Sequence, residues 1–393
     1  MSSALRRSDD PRETGRGRLA GPPGVLQALA VFAAVRLAGV VVLVLVDAVA
    51  GRPFGMSLAH RWDSVWYLHI AEHGYGTRLR ITASGAVQTD WAFFPLYPGL
   101  IRALRGLLPV TAGRAGLLIA WGSAALAAWG IYAIGHHLYG RRVATALVAL
   151  WAVLPQSVVL GLAYTEPLFT ACAAWSLYAV LRRRWPAAGS LALLAGLARP
   201  NGIAAAVAVA VTAVHEVVRQ RGRASPGLLA GAVLGPLGWA GYVLWVGGQT
   251  GDLVHGYLQV QSAWNSHLDL SAGPLRFLES MPLRGSWVTY PVAVVVVVAG
   301  IVSFCRLYLD RAPLPLLVFA GVLLLLVVAV SGPFSCKPRF LLPAFPLLIP
   351  PARALARAWP SVPSPRARLL CGGLTAVSLL YGAYLASLAG QPL

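Results

Sequence analysis

VLQALAVFAAVRLAGVVVLVLVDA, residues 25 to 48, carries only Arg36 and Asp47 as charged groups. At ~1.5 Å of rise per residue a helix of this length spans the ~30 Å hydrocarbon layer of a bilayer. Similar runs follow at roughly 113–138, 143–161, 165–181, 186–198, 202–218, 227–247, 288–305, 314–331, 340–357 and 369–389. They make about 11 candidate spans, the fifth of them short. The pattern predicts an all-α, polytopic integral membrane protein. Composition agrees: of 393 residues 58% are hydrophobic and 11% charged, against about 25% charged in soluble domains. An ordinary soluble enzyme is excluded.

The formal charge of +19 would suggest nucleic acid in a soluble chain, but between spans basic residues report orientation instead. No nucleic-acid partner is expected. With the N-terminus placed in the cytoplasm, 19 of the 32 basic residues fall on the inside, Arg36 lies within the first span, and six of the rest sit in the long first loop, where the bias is weakly enforced. This orientation places two long segments, about 49–112 and 248–287, on the extracytoplasmic side of a multi-pass protein of the cell membrane. Residues 1–18 are polar and Arg-rich and read as a disordered cytoplasmic tail without a cleavable signal. Residues 19–393 read as a single transmembrane domain. Cys172, Cys305, Cys336 and Cys371 lack metal-type spacing and read as packing residues.

The first outer loop opens with His60-Arg61-Trp62-Asp63-Ser64-Val65-Trp66-Tyr67-Leu68-His69-Ile70-Ala71-Glu72-His73-Gly74-Tyr75. Trp62, Trp66 and Ile70 recur at helical spacing and make an aromatic stripe suited to the headgroup zone, so interfacial helices are expected here. Asp63 then sits at the membrane surface, where a carboxylate can take the proton of an attacking hydroxyl. Its structural alternative is a helix N-cap. His69, Glu72 and His73 spell H-x-x-E-H, an inverted zinc-peptidase pattern, but no convincing third ligand follows. No metal site is therefore expected, and interfacial packing is the preferred reading.

Further along, Thr89-Asp90-Trp91-Ala92-Phe93-Phe94-Pro95-Leu96-Tyr97-Pro98 precedes an amphipathic stretch in which Leu100, Ile101, Leu104, Leu107 and Leu108 oppose Arg102 and Arg105. Two prolines disrupt a straight helix, so a bent, membrane-dipping or interfacial segment is expected. Asp90 at its entrance either orients an acceptor or ends a turn.

Trp62-Asp63, Leu68 to Tyr75 and Phe93 to Pro98 together resemble the PIG-V family, the second mannosyltransferase of glycosylphosphatidylinositol (GPI) anchor assembly, within the GT-C glycosyltransferases. The resemblance continues at Tyr164-Thr165-Glu166-Pro167-Leu168-Phe169, at Ala198-Arg199-Pro200-Asn201-Gly202, and at Lys337-Pro338-Arg339-Phe340 with Pro343 to Pro346. All these blocks fall outside in the charge-derived topology. The resemblance implies a GT-C-like fold, an extracytoplasmic active site, a polyprenyl-phosphate-linked donor, usually of mannose, and inverting transfer with Asp63 as base. Gln88-Thr89-Asp90 stands where the anchor enzymes resemble Glu-His, and Pro167 and Pro200 hold positions often occupied by Ser. The Arg-dominated composition, with Lys337 the sole lysine, fits a GC-rich bacterial member whose acceptor is a lipid-linked glycan or another extracytoplasmic hydroxyl.

A glycosyl phosphate carries its own leaving group, so such an enzyme must stabilise phosphate charge rather than protonate a leaving oxygen. Lys337 and Arg339 are the first candidates for donor phosphate, Arg as a planar fork and Lys as a point charge, with snorkelling as their structural alternative. Arg199 is the next. Asp90, Glu166, Trp62, Asn201 and Tyr97 are candidates for sugar or acceptor contacts, although Glu166 also suits a helix N-terminus. Arg36 reads as structural. No cofactor is expected; a divalent cation, used by some GT-C enzymes, is not implied. The competing reading is a lipid-linked sugar transporter or flippase, but no inverted repeat is visible and the candidate polar residues gather at one surface.

Overall fold

The computed structural model describes residues 22–82, 85–266, 288–330, 336–358 and 365–387. The predicted tail, 1–18, and part of the second loop, including His267 and Asp269, lie outside the described residues. The chain runs α1 (Pro22–Val49), α2 (Met56–Ala59), α3 (Ser64–His73), strands β1 (Leu79–Ile81) and β2 (Val87–Thr89), α4 (Leu96–Leu107), α5 (Ala112–Tyr139) and α6 (Arg141–Ala152). It continues as α7 (Glu166–Leu181), α8 (Trp185–Ala198), α9 (Ile203–Arg219), α10 (Pro226–Thr250), α11 (Gly256–Ser262), α12 (Thr289–Leu309), α13 (Leu314–Ala329), α14 (Lys337–Leu341), α15 (Ile349–Ala358) and α16 (Pro365–Ser387).

Helices dominate, as the apolar runs predict. The count of about 11 spans is not confirmed among the described residues, several of the apolar helices being shorter than a full span. Among the described residues five helices are long and apolar enough to cross a membrane, six if one bent pair counts as a span. The run at 143–161 is that pair: α6 stops at Ala152, and the 3-10 segment Pro155–Gly161 leaves at 84°. Pro155 explains the break, since proline lacks the N–H that a helix needs and pushes the residue before it, Leu154 at ψ 147°, into extended backbone. The run at 340–357 is divided in the same way, into the end of α14, the 3-10 turn Phe345–Leu348 and α15, with Pro343, Pro346, Pro350 and Pro351 punctuating it. Hydropathy sees only the apolar length; the prolines decide whether it is one helix.

Two packing features hold the elements that later carry charge. The helix α7 is buried on nearly every face. Against it lies α8, which meets α10 through small residues: a Cβ added at Gly189, Gly196 or Gly238 would run into the backbone of the other helix. Close approach of this kind is how spanning helices gain dispersion contacts where no hydrophobic effect drives them together. Across the bundle, Trp151 of α6 stacks on Phe32 of α1 at 5.3 Å and donates through its indole N–H to the Leu342 carbonyl at 3.0 Å. Arg36 is buried in protein, donating to the carbonyl of Ser157 in the bent segment, in keeping with a structural role.

The first loop contains short helices, as expected, and also one antiparallel hairpin, with Leu79 opposite Thr89 and Ile81 opposite Val87. The strands are absent from the sequence reading because they are three residues long and follow no clear alternation. The prolines at 95 and 98 correct another expectation. Pro95 is the residue before α4 and Pro98 lies in its first turn, where backbone N–H groups have no intrahelical partner to lose. They start a helix rather than bend one.

Candidate active site

Four charged side chains from distant parts of the chain meet where helices end. Asp63 immediately precedes α3, Glu166 opens α7, Arg199 follows the last residue of α8, and Arg339 lies in α14. Arg339 donates from Nη1 to Asp63 Oδ2 at 2.7 Å and sets Nε 3.3 Å from Glu166 Oε1. The same Glu166 oxygen pairs with Arg199. The chain of contacts therefore runs Asp63, Arg339, Glu166, Arg199, with two negative and two positive charges in alternation.

Burial makes that balance necessary. The Glu166 side chain is fully buried, those of Arg339 and Arg199 are nearly so, and only Asp63, at 19% exposure, reaches the surface. An isolated charge removed from water to this degree costs several kcal/mol, so each group needs its neighbour. Glu166 is held by charge rather than by a directed hydrogen bond among the described residues. Burial alone would lower the Arg339 guanidinium pKa, but Asp63, Glu166 and the Tyr164 hydroxyl outweigh it and hold it above the ordinary range. Arg339 also lies over the rings of Phe340 and Tyr164, at 5.1 and 5.5 Å, a packing suited to its flat, weakly hydrated cation.

The structural alternative for Asp63 was an N-cap, and the geometry answers it. Asp63 occupies the cap position of α3, yet its side chain makes no capping hydrogen bond and turns instead to Arg339. Its backbone N–H donates to the Tyr164 hydroxyl at 3.2 Å. The residue before it, Trp62, is half-buried with φ at 53°, the left-handed region that bulky side chains avoid. The chain thus spends conformational strain at the step that aims the carboxylate. Sequence reasoning quoted Tyr164 without giving it a role; its place beside Thr165-Glu166 was the available signal.

Other expected site residues are placed differently. Asp90 is fully buried, and its two carboxylate oxygens accept from the backbone N–H groups of Gly76 and Thr77, at 3.0 and 3.3 Å. It holds a turn, the alternative left open by the sequence, and does not present a free carboxylate to an acceptor. Tyr97 is likewise completely buried, with its hydroxyl donating to the Gly116 carbonyl at 2.8 Å. Lys337 opens α14, half-buried, and burial lowers its ammonium pKa. Asn201 is half-buried in the 3-10 turn that follows Arg199.

The H-x-x-E-H motif has ordinary partners. Glu72 lies 3.4 Å from Arg105 of α4, and His69 shares a hydrogen bond with the Thr77 hydroxyl. Among the described residues no three His, Cys, Asp or Glu side chains gather as a metal-binding group.

The two long loops are fastened together beside Asp63. Trp264 donates to the Thr89 carbonyl and Gln261 to that of Ala92, while Gln88 donates back to Ala263. Trp264 also packs edge-on against Trp66 and Phe93, at 5.0 and 5.2 Å. The described part of the second loop thus braces α3, and the polar groups of Gln261 and Trp264 are spent on backbone carbonyls.

No protein-family model matches the chain. Over 156 residues it is 31% identical to GPI alpha-1,6-mannosyltransferase 2 of Mus musculus, a match covering 36% of this chain and 29% of the mouse protein. GPI mannosyltransferase 2 of Schizosaccharomyces pombe is 26% identical over 146 residues, with the same shares. The chain thus matches less than a third of the length of these curated relatives. In three dimensions it is similar to the oligosaccharyltransferase of Archaeoglobus fulgidus, with a TM-score of 0.53 at 16% identity over 93% of this chain and 56% of the other. That enzyme in complex with an inhibitory peptide and a dolichol-phosphate gives a TM-score of 0.52 at 15% identity. The likeness shows a helical fold shared with that oligosaccharyltransferase.

Proposed function

We propose that the protein is a membrane glycosyltransferase that moves mannose from a polyprenyl-phosphate-mannose donor to a hydroxyl of a lipid-linked glycan or another extracytoplasmic acceptor, with inversion at the anomeric carbon. The observation that carries this reading is the alternating chain Asp63, Arg339, Glu166, Arg199, gathered at helix ends. It supplies a partly exposed carboxylate beside buried guanidinium groups. The sequence likeness to GPI mannosyltransferase 2 proteins supports the sugar, and the fold shared with an enzyme seen with dolichol-phosphate supports a lipid-phosphate donor.

In the proposed step the acceptor oxygen attacks the anomeric carbon and forms the new glycosidic bond. The bond from that carbon to the phosphate oxygen breaks, and its electron pair leaves with the polyprenyl phosphate. Asp63 takes the acceptor proton. Arg339 binds the phosphate and offsets the charge it gains, with Arg199 behind it, because a planar fork suits phosphate oxygens and a water-poor site strengthens the attraction. Lys337 adds a positive charge at the start of the same helix. Trp62 and Asn201, half-buried next to Asp63 and Arg199 in sequence, are the proposed sugar contacts. The phosphate is already a leaving group, so the step requires no nucleotide. With the N-terminus in the cytoplasm the site faces the extracytoplasmic side.

The test is transfer from radiolabelled polyprenyl-phosphate-mannose in membranes that contain the wild type or Asp63→Asn, with endogenous lipids and proteins as acceptors. Label reaching an acceptor only with wild type supports the reading and identifies the acceptor fraction. Well-expressed wild type that leaves the label on the donor overturns it and favours the transporter alternative.

A further inference from the structure

The reading above, on which this inference rests, makes Arg339 a phosphate ligand and Asp63 a base, yet the two are bound to each other. We infer that Asp63 and the donor phosphate compete for Arg339, so that the contact with Arg339 latches the base and the arriving phosphate itself frees it. Arg339 has Nη1 on Asp63 and Nε facing Glu166. The four side chains balance to zero net charge, so an incoming phosphodiester meets a neutral group whose best donor is already engaged. A phosphate held by two donors of the fork takes Nη2 with either Nη1 or Nε, so one carboxylate must yield part of its hold on the guanidinium.

Burial decides which. Glu166 is fully enclosed and bridges both arginines, and moving it would strand two buried cations. Asp63 is the most exposed of the four, caps nothing with its side chain, and stands at the end of a loop. It can turn toward solvent without losing a helix hydrogen bond. Freed of its counter-ion, it is available to the acceptor hydroxyl. Glu166 is then a positioning residue, the fixed anion that keeps Arg339 in place while its other partner changes. The arrangement imposes an order: donor binds first, and only then is the base exposed, so an acceptor alone meets a carboxylate held by Arg339.

The experiment measures binding of sugar-free polyprenyl phosphate to the purified full chain in detergent, for wild type, Asp63→Asn, Asp63→Ser, Arg339→Gln and the double variant Asp63→Asn with Arg339→Gln, each taken from the monodisperse fraction on gel filtration. Both Asp63 variants are expected to bind about tenfold tighter than wild type, a modest effect for removing one member of a close charge pair. The double variant is expected to show no such gain over Arg339→Gln. Equal or weaker binding by both folded Asp63 variants, with wild type binding intact, overturns the latch and leaves the transfer reading standing. A gain that persists without Arg339 also overturns it. Failure of wild type and Asp63 variants alike to bind overturns the phosphate site, and the latch with it.

Discussion

The Arg339 guanidinium donates to the Asp63 carboxylate across 2.7 Å, joining residues 276 positions apart in the chain. The contact ties the first loop to the last third of the molecule at the point where both proposed chemical roles, base and phosphate ligand, must come together.

Asp63→Asn keeps the size of the side chain and the backbone N–H that Tyr164 accepts, but its amide cannot take a proton. Transfer is expected to fall at least about a hundredfold while the protein still inserts and remains monodisperse in detergent. Radiolabel transfer and gel filtration of the same preparation check it, and near wild-type turnover removes Asp63 as base.

Arg339 needs a milder replacement than alanine. Alanine there strands Asp63 and Glu166 and is expected to cost about 3 to 5 kcal/mol of stability, so lost binding would be confounded with unfolding. Arg339→Lys retains the charge without the fork. Its expected phenotype is donor binding about tenfold weaker with a folded protein, measured as KM for the donor beside thermal unfolding.

Glu166 has no solvent to fall back on. Glu166→Gln leaves two buried guanidinium groups without their shared anion and is expected to lower stability by about 3 kcal/mol, read as a drop in the unfolding midpoint. A midpoint equal to wild type would show that the anion does not hold the arginines.

Tyr97 serves as a contrasting case. Tyr97→Phe loses the hydrogen bond to the Gly116 carbonyl, at a cost of about 1 kcal/mol, and transfer by the folded protein is expected to stay close to wild type. Loss of transfer without loss of stability would return Tyr97 to the sugar site.

How much of this was legible can be argued residue by residue. Asp63, Glu166, Arg199 and Arg339 were each nominated by residue type and by the family-like block in which each sits. Asp90 and Tyr97 looked equally eligible, and nothing local distinguished them. What separated them was the partner: backbone N–H groups of Gly76 and Thr77 for one, the Gly116 carbonyl for the other. Gln88 stood out only as a departure from the family pattern and Trp264 only as one of several loop residues compatible with sugar contacts, since their task of fastening two loops exists only once both loops are placed.

By itself the sequence determined the membrane solvent and the helical class, since hydropathy and length are properties of the chain that need no partner. It also determined where helices could not continue, through prolines such as Pro155, although hydropathy alone read across them. Tertiary structure alone decided which charges pair, because a Coulomb interaction depends on distance in space and on the water excluded around it. Asp63 and Arg339 become one unit only when α3 and α14 are packed at the same end of the bundle.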